Sequence, residues 1–309
     1  MTSPSHRWTR SLIKVVLLAA VLAGVVTVGA AQAAGPVTVT CGQVLTQDTK
    51  VANDLVNCPA AGLVIGASNI KLDLRGHLID GDAFGNDAGI DNTGGFDNVW
   101  VTHGTIQEFQ WGVNLLGASS NQVDRLETLN NVLGILLDSG SNNNSVVRNQ
   151  VHDNDRVGGI LVDGTTGNLL SRNTVYNNGS SGIGGVSIGA WNSTNIEISL
   201  NNVYDNVHSG IWLLNTNTSL VTGNMSNTSG FDGIETSMGS TGNVVLDNVA
   251  NGNGWNGIDV GDPGNTITGN QADTNFNLGI FAAAGNVDGG GNTAAGNGDS
   301  LECVGVTCS

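Results

Sequence analysis

Nine Gly-[Ile/Val] pairs recur along this chain of 309 residues, each 22 to 26 residues after the one before. The pairs begin at Gly89, Gly112, Gly134, Gly159, Gly185, Gly210, Gly233, Gly257 and Gly279. The interval is too short for repeats built from helical hairpins, and its regularity is typical of a solenoid. The sequence therefore predicts stacked coils, each of which buries its apolar face against its neighbours.

Short segments that alternate apolar and polar residues follow each pair, as in residues 145–151 and 169–175. They are too short for helices and are separated by Gly, Asn and Asp, a pattern typical of brief strands joined by tight turns. Three strands fit one repeat, and equivalent residues of stacked coils lie about 4.8 Å apart. Asparagines at equivalent positions are expected to form hydrogen-bonded ladders, among them Asn201, Asn224, Asn248 and Asn270.

The two ends of the chain differ from the repeats. Residues 1–33 have the pattern of a secretion signal, with Arg7, Arg10 and Lys14 before the apolar run 15–28 and a small-residue cleavage site at 31–33. The alternative for this segment is a retained membrane anchor. We expect residues 34–75 to form an N-terminal cap with 70–74 as the first full strand, 76–298 to form the solenoid, and 299–309 to form a tail.

Charge narrows the possible partners. Removal of residues 1–33 takes Lys+Arg from 10 to 7 against 26 Asp+Glu, so the formal net charge falls from −16 to −19. Nucleic acid and anionic membrane surfaces are therefore excluded as expected partners. Arg172 is the last basic residue, so the C-terminal half has no side-chain cation of the Lys or Arg type.

Four cysteines in an exported chain predict two disulfides, for which three pairings are possible. Local pairing is favoured, Cys41 with Cys58 and Cys303 with Cys308. The alternative, a zinc site, lacks the Cys-x-x-Cys or histidine pair that would normally accompany it.

The Asn-rich Gly-Ile coils, together with Cys41-Gly42, Asn57-Cys58-Pro59 and Leu-Asp-Leu-Arg-Gly-His at 72–77, resemble secreted bacterial β-helix proteins of the pectin-lyase-like superfamily. This resemblance implies an all-β, right-handed parallel β-helix of about nine to eleven coils with capped ends. The superfamily includes polysaccharide lyases, glycoside hydrolases, uronate epimerases, NosD-like accessory proteins and adhesins. The catalytic motifs of its polygalacturonases and arginine-centred lyases cannot be placed in this sequence, so no catalytic residue carries over.

If the Ile or Val of each pair points inward, the next residue points outward. This predicts an outer column of Asp91, Asn114, Leu136, Leu161, Ser187, Trp212, Glu235, Asp259 and Phe281, and a second column two residues on that includes Asp138, Asp163 and Gly189. Glu235 and Asp259 would then stack one strand spacing apart, between two aromatic residues. Carboxyls about 5 Å apart are the acid/base and nucleophile of retaining glycosidases. His208, Asp232 and Trp255 lie in the turns that lead into these coils and are predicted to contact substrate.

Three other groups are weaker candidates. Asp138 and Asp163 also stack and form the second-choice carboxylate pair. Arg148, Arg172 and His152 match what a uronate lyase or epimerase needs, a cation for the substrate carboxylate and a base for the adjacent proton. Tyr176 and Tyr204 share the column of His152 and are expected to stack. A calcium site is possible at Asp80, Asp82, Asn86 and Asp87, although the loop lacks the closing glutamate of an EF-hand.

These patterns predict a secreted protein that acts on or binds an extracellular polysaccharide, with hydrolysis by Glu235 and Asp259 as the leading hypothesis. The alternatives are a uronate lyase or epimerase and a non-catalytic glycan-binding or adhesion module. A purely structural interpretation, in which the carboxylates form a solvated acidic surface, also fits. NosD-like metal delivery is the least favoured, since 3 Met and 5 His form no cluster. No cofactor is required, and calcium is the one candidate ion.

Overall fold

The computed structural model of the protein describes residues 35–83, 85–180 and 185–309, so the predicted secretion signal at 1–33 lies outside the described residues. Residues 34–309 form one compact unit. Within the described ranges every regular element is a β-strand, and no helix there is long and apolar enough to cross a membrane.

The strands are short, and most have three to six residues. In chain order they are β1 Gln43–Leu45, β2 Thr49–Lys50, β3 Leu55–Cys58, β4 Leu63–Ile65, β5 Lys71–Asp73, β6 Leu78–Gly81, β7 Ala88–Asn92, β8 Trp100–Gln107, β9 Trp111–Leu116, β10 Gln122–Leu129, β11 Leu133–Asp138, β12 Ser145–Val147, β13 Gln150–His152, β14 Gly158–Asp163, β15 Leu169–Ser171, β16 Thr174–Tyr176, β17 Val186–Trp191, β18 Glu197–Ser199, β19 Asn202–Tyr204, β20 Ile211–Leu214, β21 Leu220–Thr222, β22 Met225–Asn227, β23 Ile234–Ser237, β24 Val244–Leu246, β25 Ile258–Val260, β26 Thr266–Thr268, β27 Ile280–Ala282, β28 Val287–Gly290 and β29 Cys303–Val304.

These strands pair in parallel with their equivalents in the next coil and form three sheets. The first sheet has twelve strands in the order β1-β4-β7-β9-β11-β14-β17-β20-β23-β25-β27-β29. The second runs from β2 to β28, and the third from β3 to β22. The long strands β8 and β10 belong to both of these sheets. The result is a parallel β-solenoid of about 11 turns, which confirms the predicted fold class.

The core is the column of inward Ile and Val side chains in the first sheet, completed by apolar residues of the other two. Ile90, Ile160, Ile234 and Ile280 are all fully buried and belong to one continuous cluster. The glycine before each of these residues is required by space, since a Cβ at Gly233 would lie 2.6 Å from the carbonyl oxygen of Gly257. The repeated Gly-Ile pair therefore reflects close approach of successive coils.

Asparagine ladders close the bends, as the sequence predicts. The Nδ2 atoms of Asn201, Asn224, Asn248 and Asn270 each donate to the next ladder oxygen along the stack over 2.9 to 3.2 Å. Each residue also donates to a backbone carbonyl of the preceding coil, as Asn248 does to Val221 over 2.9 Å. Because these side chains are buried, the ladder satisfies polar groups that would otherwise be costly.

Both locally favoured disulfides are present, Cys41–Cys58 and Cys303–Cys308. The stack begins earlier than the sequence suggests, because β1 at Gln43–Leu45 already pairs with β4. At the other end β29 pairs with β27, so the tail adds a final strand to the first sheet. Each disulfide therefore lies close to one end of the stack, where strand edges would otherwise be open.

The register predicted from the sequence is wrong in one repeat. Ile188, and not Val186, is the partner of Ile160, and Gly189 is the partner of Leu161. The ladder residues Asn178 and Asn206 are 28 residues apart, whereas Asn154 and Asn178 are 24 apart. The extra residues lie between Asn178 and β17 along the chain, so Ser187 occupies the glycine position there. The predicted outer-column residues Ser187 and Gly189 are thus replaced by Gly189 and Trp191.

Candidate active site

The carboxylates of Glu235 and Asp259 lie on neighbouring strands of the first sheet. Glu235 on β23 is the register partner of Asp259 on β25, and Trp212 and Phe281 are the register partners on either side. Strand spacing places the two acidic backbones about 4.8 Å apart, with both side chains on the outer face. The order Trp212, Glu235, Asp259, Phe281 over four coils is the order that the sequence predicts.

A third carboxylate joins this pair from the preceding turn. Asp232 is 8% exposed and accepts a hydrogen bond from the backbone N–H of Asn256 over 2.9 Å. The Nδ2 of the same Asn256 donates to Asp259 Oδ2 over 2.8 Å. Asn256 Oδ1 in turn accepts from Asn277 Nδ2 and from the backbone N–H of Leu278. One buried asparagine therefore holds both aspartates in place.

Burial and mutual repulsion change the acidity of the two aspartates. Burial, followed by the charge of Asp259, raises the pKa of Asp232 from 3.8 to about 7. Burial, followed by the charge of Glu235, raises the pKa of Asp259 from 3.8 to about 6, against the effect of the Asn256 hydrogen bond. Because the groups interact, Asp232 and Asp259 hold a proton between them at weakly acidic pH. A carboxyl that stays protonated in this range can act as a general acid.

Glu235 is oriented by its neighbours. Its Oε2 accepts a hydrogen bond from Ser209 Oγ over 2.8 Å. Beside it, Trp212 Nε1 donates to Ser237 Oγ over 2.9 Å, which fixes the indole ring. Trp212 also contacts Trp191 edge to face at 5.7 Å, so its ring is partly packed against the protein. The side chains beside Glu235 thus have fixed orientations.

Exposed aromatic rings line one edge of the carboxylate cluster. His208 stacks on Phe231 at 5.4 Å, and Trp255 stacks on Phe276 at 6.2 Å. Phe231, Trp255 and Phe276 are 47 to 70% exposed, which is unusual for large apolar side chains in successive turns. We call these three residues the aromatic edge. The sequence hypothesis included His208 and Trp255; Phe231, two residues before Gly233 as Trp255 is before Gly257, was identifiable by the same offset.

Apolar residues cover the outer face next to the cluster. Leu133, Leu161 and Val186 are almost fully buried although they lie outside the main core. Trp111, Trp191 and Trp212 pack against them. This explains why the outer column is apolar at Leu136 and Leu161, since those side chains belong to a second small hydrophobic cluster.

The second-choice carboxylates are also register partners, Asp138 on β11 and Asp163 on β14. Asp138 Oδ1 accepts from Ser139 Oγ, and Asp163 Oδ1 accepts from Asn192 Nδ2. Both are half-buried at the ends of their strands. They engage turn residues, which is the local role that their sequence context also indicates.

The residues of the lyase alternative differ in how accessible their side chains are. Arg148 and Arg172 occupy equivalent bends in successive coils. His152 is 7% exposed, and its ring nitrogens face Asp153 Oδ2 at 2.7 Å and Glu127 Oε1 at 3.3 Å. The rings of His152, Tyr176 and Tyr204 stack at 4.6 and 5.1 Å, as the shared column predicts. The cations are accessible, but both nitrogens of the histidine are already engaged.

The calcium candidate at Asp80, Asp82, Asn86 and Asp87 has one oxygen pair already in use. Asp80 accepts from the backbone N–H of Asn57 and from Gln107 Nε2. Burial, with the charge of Asp82, raises the pKa of Asp87. Within the part of the chain that the structure describes, no group of three or more His, Cys, Asp or Glu residues is arranged to hold a metal ion.

A family model described as "Right handed beta helix region" matches residues 46–187 and 158–297. The chain belongs to the right-handed β-helix family. This confirms the resemblance inferred from the Asn-rich Gly-Ile coils, and the matched range includes Asp232, Glu235 and Asp259. A search of curated protein sequences found no match.

Solved structures share this β-helix at low sequence identity. The A-module of the Azotobacter vinelandii mannuronan C-5 epimerase AlgE6 superposes with a TM-score of 0.70 at 18% identity, over 88% of this chain and 88% of that one. The Dettilon tailspike protein gives 0.63 at 17% identity, over 84% of this chain and 60% of that one. The catalytic domain of a GH87 α-1,3-glucanase in complex with tetrasaccharides gives 0.58 at 12%, over 87% and 62%. At these identities the likeness establishes the fold.

Proposed function

We propose that this β-helix protein is a secreted glycoside hydrolase that cleaves a neutral extracellular polysaccharide. The site is formed by Asp232, Glu235 and Asp259, of which Glu235 and Asp259 react. The observation that carries the proposal is the in-register pair of Glu235 and Asp259, with a buried proton-holding aspartate behind it. Solved structures with the same fold support a polysaccharide as the substrate, because they include an α-1,3-glucanase bound to tetrasaccharides and a mannuronan epimerase.

The roles follow from the two environments. Asp259, protonated at weakly acidic pH, donates its proton to the glycosidic oxygen as the bond to the leaving sugar breaks. Glu235, held by Ser209, attacks the anomeric carbon and forms a glycosyl ester. Water then cleaves this ester, with Asp259 accepting the proton that it gave. Neighbouring strands keep the carboxyls near the separation used for retention of configuration.

Asp232 acts as a positioning residue. It is buried and shares Asn256 with Asp259. The pKa of Asp232, about 7, lies above that of Asp259, about 6, so Asp232 remains largely uncharged while Asp259 loses its proton. Asp232 therefore acts on the donor through Asn256, without contacting the sugar.

Electrostatics and shape favour an uncharged substrate. Three carboxylates converge on the site, and the sequence has no Lys or Arg after Arg172. A uronate bound here would meet like charge with no arginine or lysine to neutralise it. The aromatic edge, Phe231, Trp255 and Phe276, instead offers flat apolar faces on which sugar rings can stack.

The test is a screen of the purified protein against neutral and acidic polysaccharides, with and without calcium. We expect new reducing ends from a neutral glycan and no absorbance from unsaturated uronates. Glu235→Gln should lower this activity by at least about a thousandfold with the fold retained, whereas Asp138→Asn on the same sheet should not. Full activity in Glu235→Gln would remove Glu235 from the mechanism.

Other outcomes favour the alternatives. Unsaturated products would indicate a lyase and move the assignment to Arg148, Arg172 and His152. Binding without cleavage of any glycan, unchanged in a Glu235→Gln/Asp259→Asn variant, would indicate a non-catalytic glycan-binding module.

A further inference from the structure

A column of basic side chains lies on a different corner of the solenoid, where the second sheet turns into the third. His103, Arg125, Arg148 and Arg172 occupy the same bend position in four successive coils, and Arg75 lies in the longer bend of the coil before them. Residues 35–309 contain seven Lys and Arg residues, and four of them are in this column. We call these five residues the basic column.

The backbone at this bend does not favour such side chains. All five residues have φ between 52° and 57°, in the left-handed region that suits glycine or asparagine. Later coils have Leu200, Gly223, Asp247 and Gly269 at the same bend. The bend therefore accepts glycine, leucine and aspartate, and a basic residue there costs about 1 kcal/mol. The turn alone does not require basic side chains in successive coils.

A buried carboxylate orders the guanidinium groups. Asp124 is fully buried, and its Oδ1 accepts from Arg148 Nε and from an Arg148 terminal nitrogen over 2.9 and 2.6 Å. Its Oδ2 lies 3.4 Å from Arg125 Nη1. Arg125 Nη1 also contacts His103 Nε2 at 3.0 Å; since arginine can only donate, this histidine nitrogen is the acceptor. One carboxylate thus holds two arginines, whose side chains remain 40 and 47% exposed.

Arg75, His103, Arg125 and Arg148 line a groove of about 670 Å³, and Arg172 continues the column in the next coil. The groove is also lined by Asp73, Thr105, Glu127 and Gln150, which can exchange hydrogen bonds with hydroxyl groups. Basic residues repeat along it at the strand spacing of about 4.8 Å. This combination of spaced cations and hydroxyl partners matches an extended sugar chain with carboxylates, whose rings advance by a similar distance.

We propose that the basic column and its groove bind an acidic, carboxylate-bearing polysaccharide without cleaving it, and so tether the protein to an anionic matrix. The site is independent of the carboxylate cluster on the first sheet. His152, the base of the lyase alternative, is buried, and both of its nitrogens face carboxylates.

The experiment measures binding of polygalacturonate by titration calorimetry at low and moderate salt, with dextran as the uncharged control. We expect polygalacturonate to bind more weakly as salt rises, and dextran not to bind at this site. An Arg75→Gln/Arg172→Gln variant should lose about tenfold in affinity or more. These two arginines lie at the ends of the column, so their loss leaves the Asp124 ion pairs intact.

Arg156→Gln is the matched control, because Arg156 is exposed and lies outside the column. Equal losses in the control and in the double variant, or no binding of polygalacturonate by the wild type, would overturn the proposal. Release of unsaturated uronates would also overturn it, since the ligand would then be a substrate. Glu235→Gln should bind polygalacturonate normally, so failure of the proposed hydrolase does not affect this result.

Discussion

Replacement of Asp232 by asparagine should stabilise the protein at neutral and alkaline pH and leave it unchanged near pH 4. The fold raises the pKa of Asp232 from 3.8 to about 7, so the folded state favours the protonated form. Between these values the unfolded chain releases the proton whereas the folded protein retains it, so the folded state loses stability as pH rises and the loss is complete above about pH 7. Asparagine never ionises, and its Oδ1 can still accept from the N–H of Asn256.

The magnitude follows from the pKa difference. At 1.36 kcal/mol per pKa unit, the rise from 3.8 to about 7 corresponds to at most about 4 kcal/mol at pH 8. In a chain of this size, such a gain raises the melting temperature by up to about 8 °C.

Calorimetry of wild type and Asp232→Asn at pH 4, 6 and 8 provides the measurement. We expect no difference at pH 4 and a progressive gain toward pH 8. Asp247→Asn, at an exposed bend, should change stability by less than about 0.5 kcal/mol at every pH. A gain of equal size at pH 4 and pH 8, or a loss at pH 8, would refute the view that burial of a charge is what Asp232 costs the fold.

Three further predictions concern the site and the stack. Hydrolysis should decline as pH rises above about 6, since Asp259 must be protonated to donate, and a pH–rate profile without a limb near pH 6 would contradict the assignment of Asp259 as the donor. Phe276→Ala should raise KM roughly three- to tenfold with no change in melting temperature; an unchanged KM would remove Phe276 from substrate binding. Asn248→Ala should destabilise by about 3 kcal/mol in urea unfolding, because it leaves Val221 O and the amide of Asn224 without partners, whereas exposed Asn86→Ala should have little effect.

Much of the fold was predictable from periodicity. Gly233 and Gly257 show why: a coil spacing near 4.8 Å leaves no room for a Cβ, so the same residue recurs wherever the coils approach. The ladder from Asn201 to Asn270 was predictable for the same reason. The position of Val186 was not predictable. Additional residues before β17 shift the register by two, and Gly185-Val186 resembles the repeated pair although Ile188 is the inward residue.

The stacking of Glu235 on Asp259 was likewise predictable, since their strands repeat without an insertion. The different environments of the acids were not predictable. Asp232 was predicted to contact substrate, but it is buried and accepts a hydrogen bond from Asn256. Burial depends on how the turns of several coils pack, and the spacing of residues along one coil carries no such information.

The sequence by itself determined the repeat, and with it the fold and the outward column of acids, because a solenoid converts a constant interval along the chain into contact in space. Tertiary structure alone decided which carboxyl groups are buried and which aromatic rings stay exposed. It also decided how Asp124 contacts two arginines at the bend between the second and third sheets. These properties arise from packing between turns of unequal length, and desolvation is a property of the assembled surroundings.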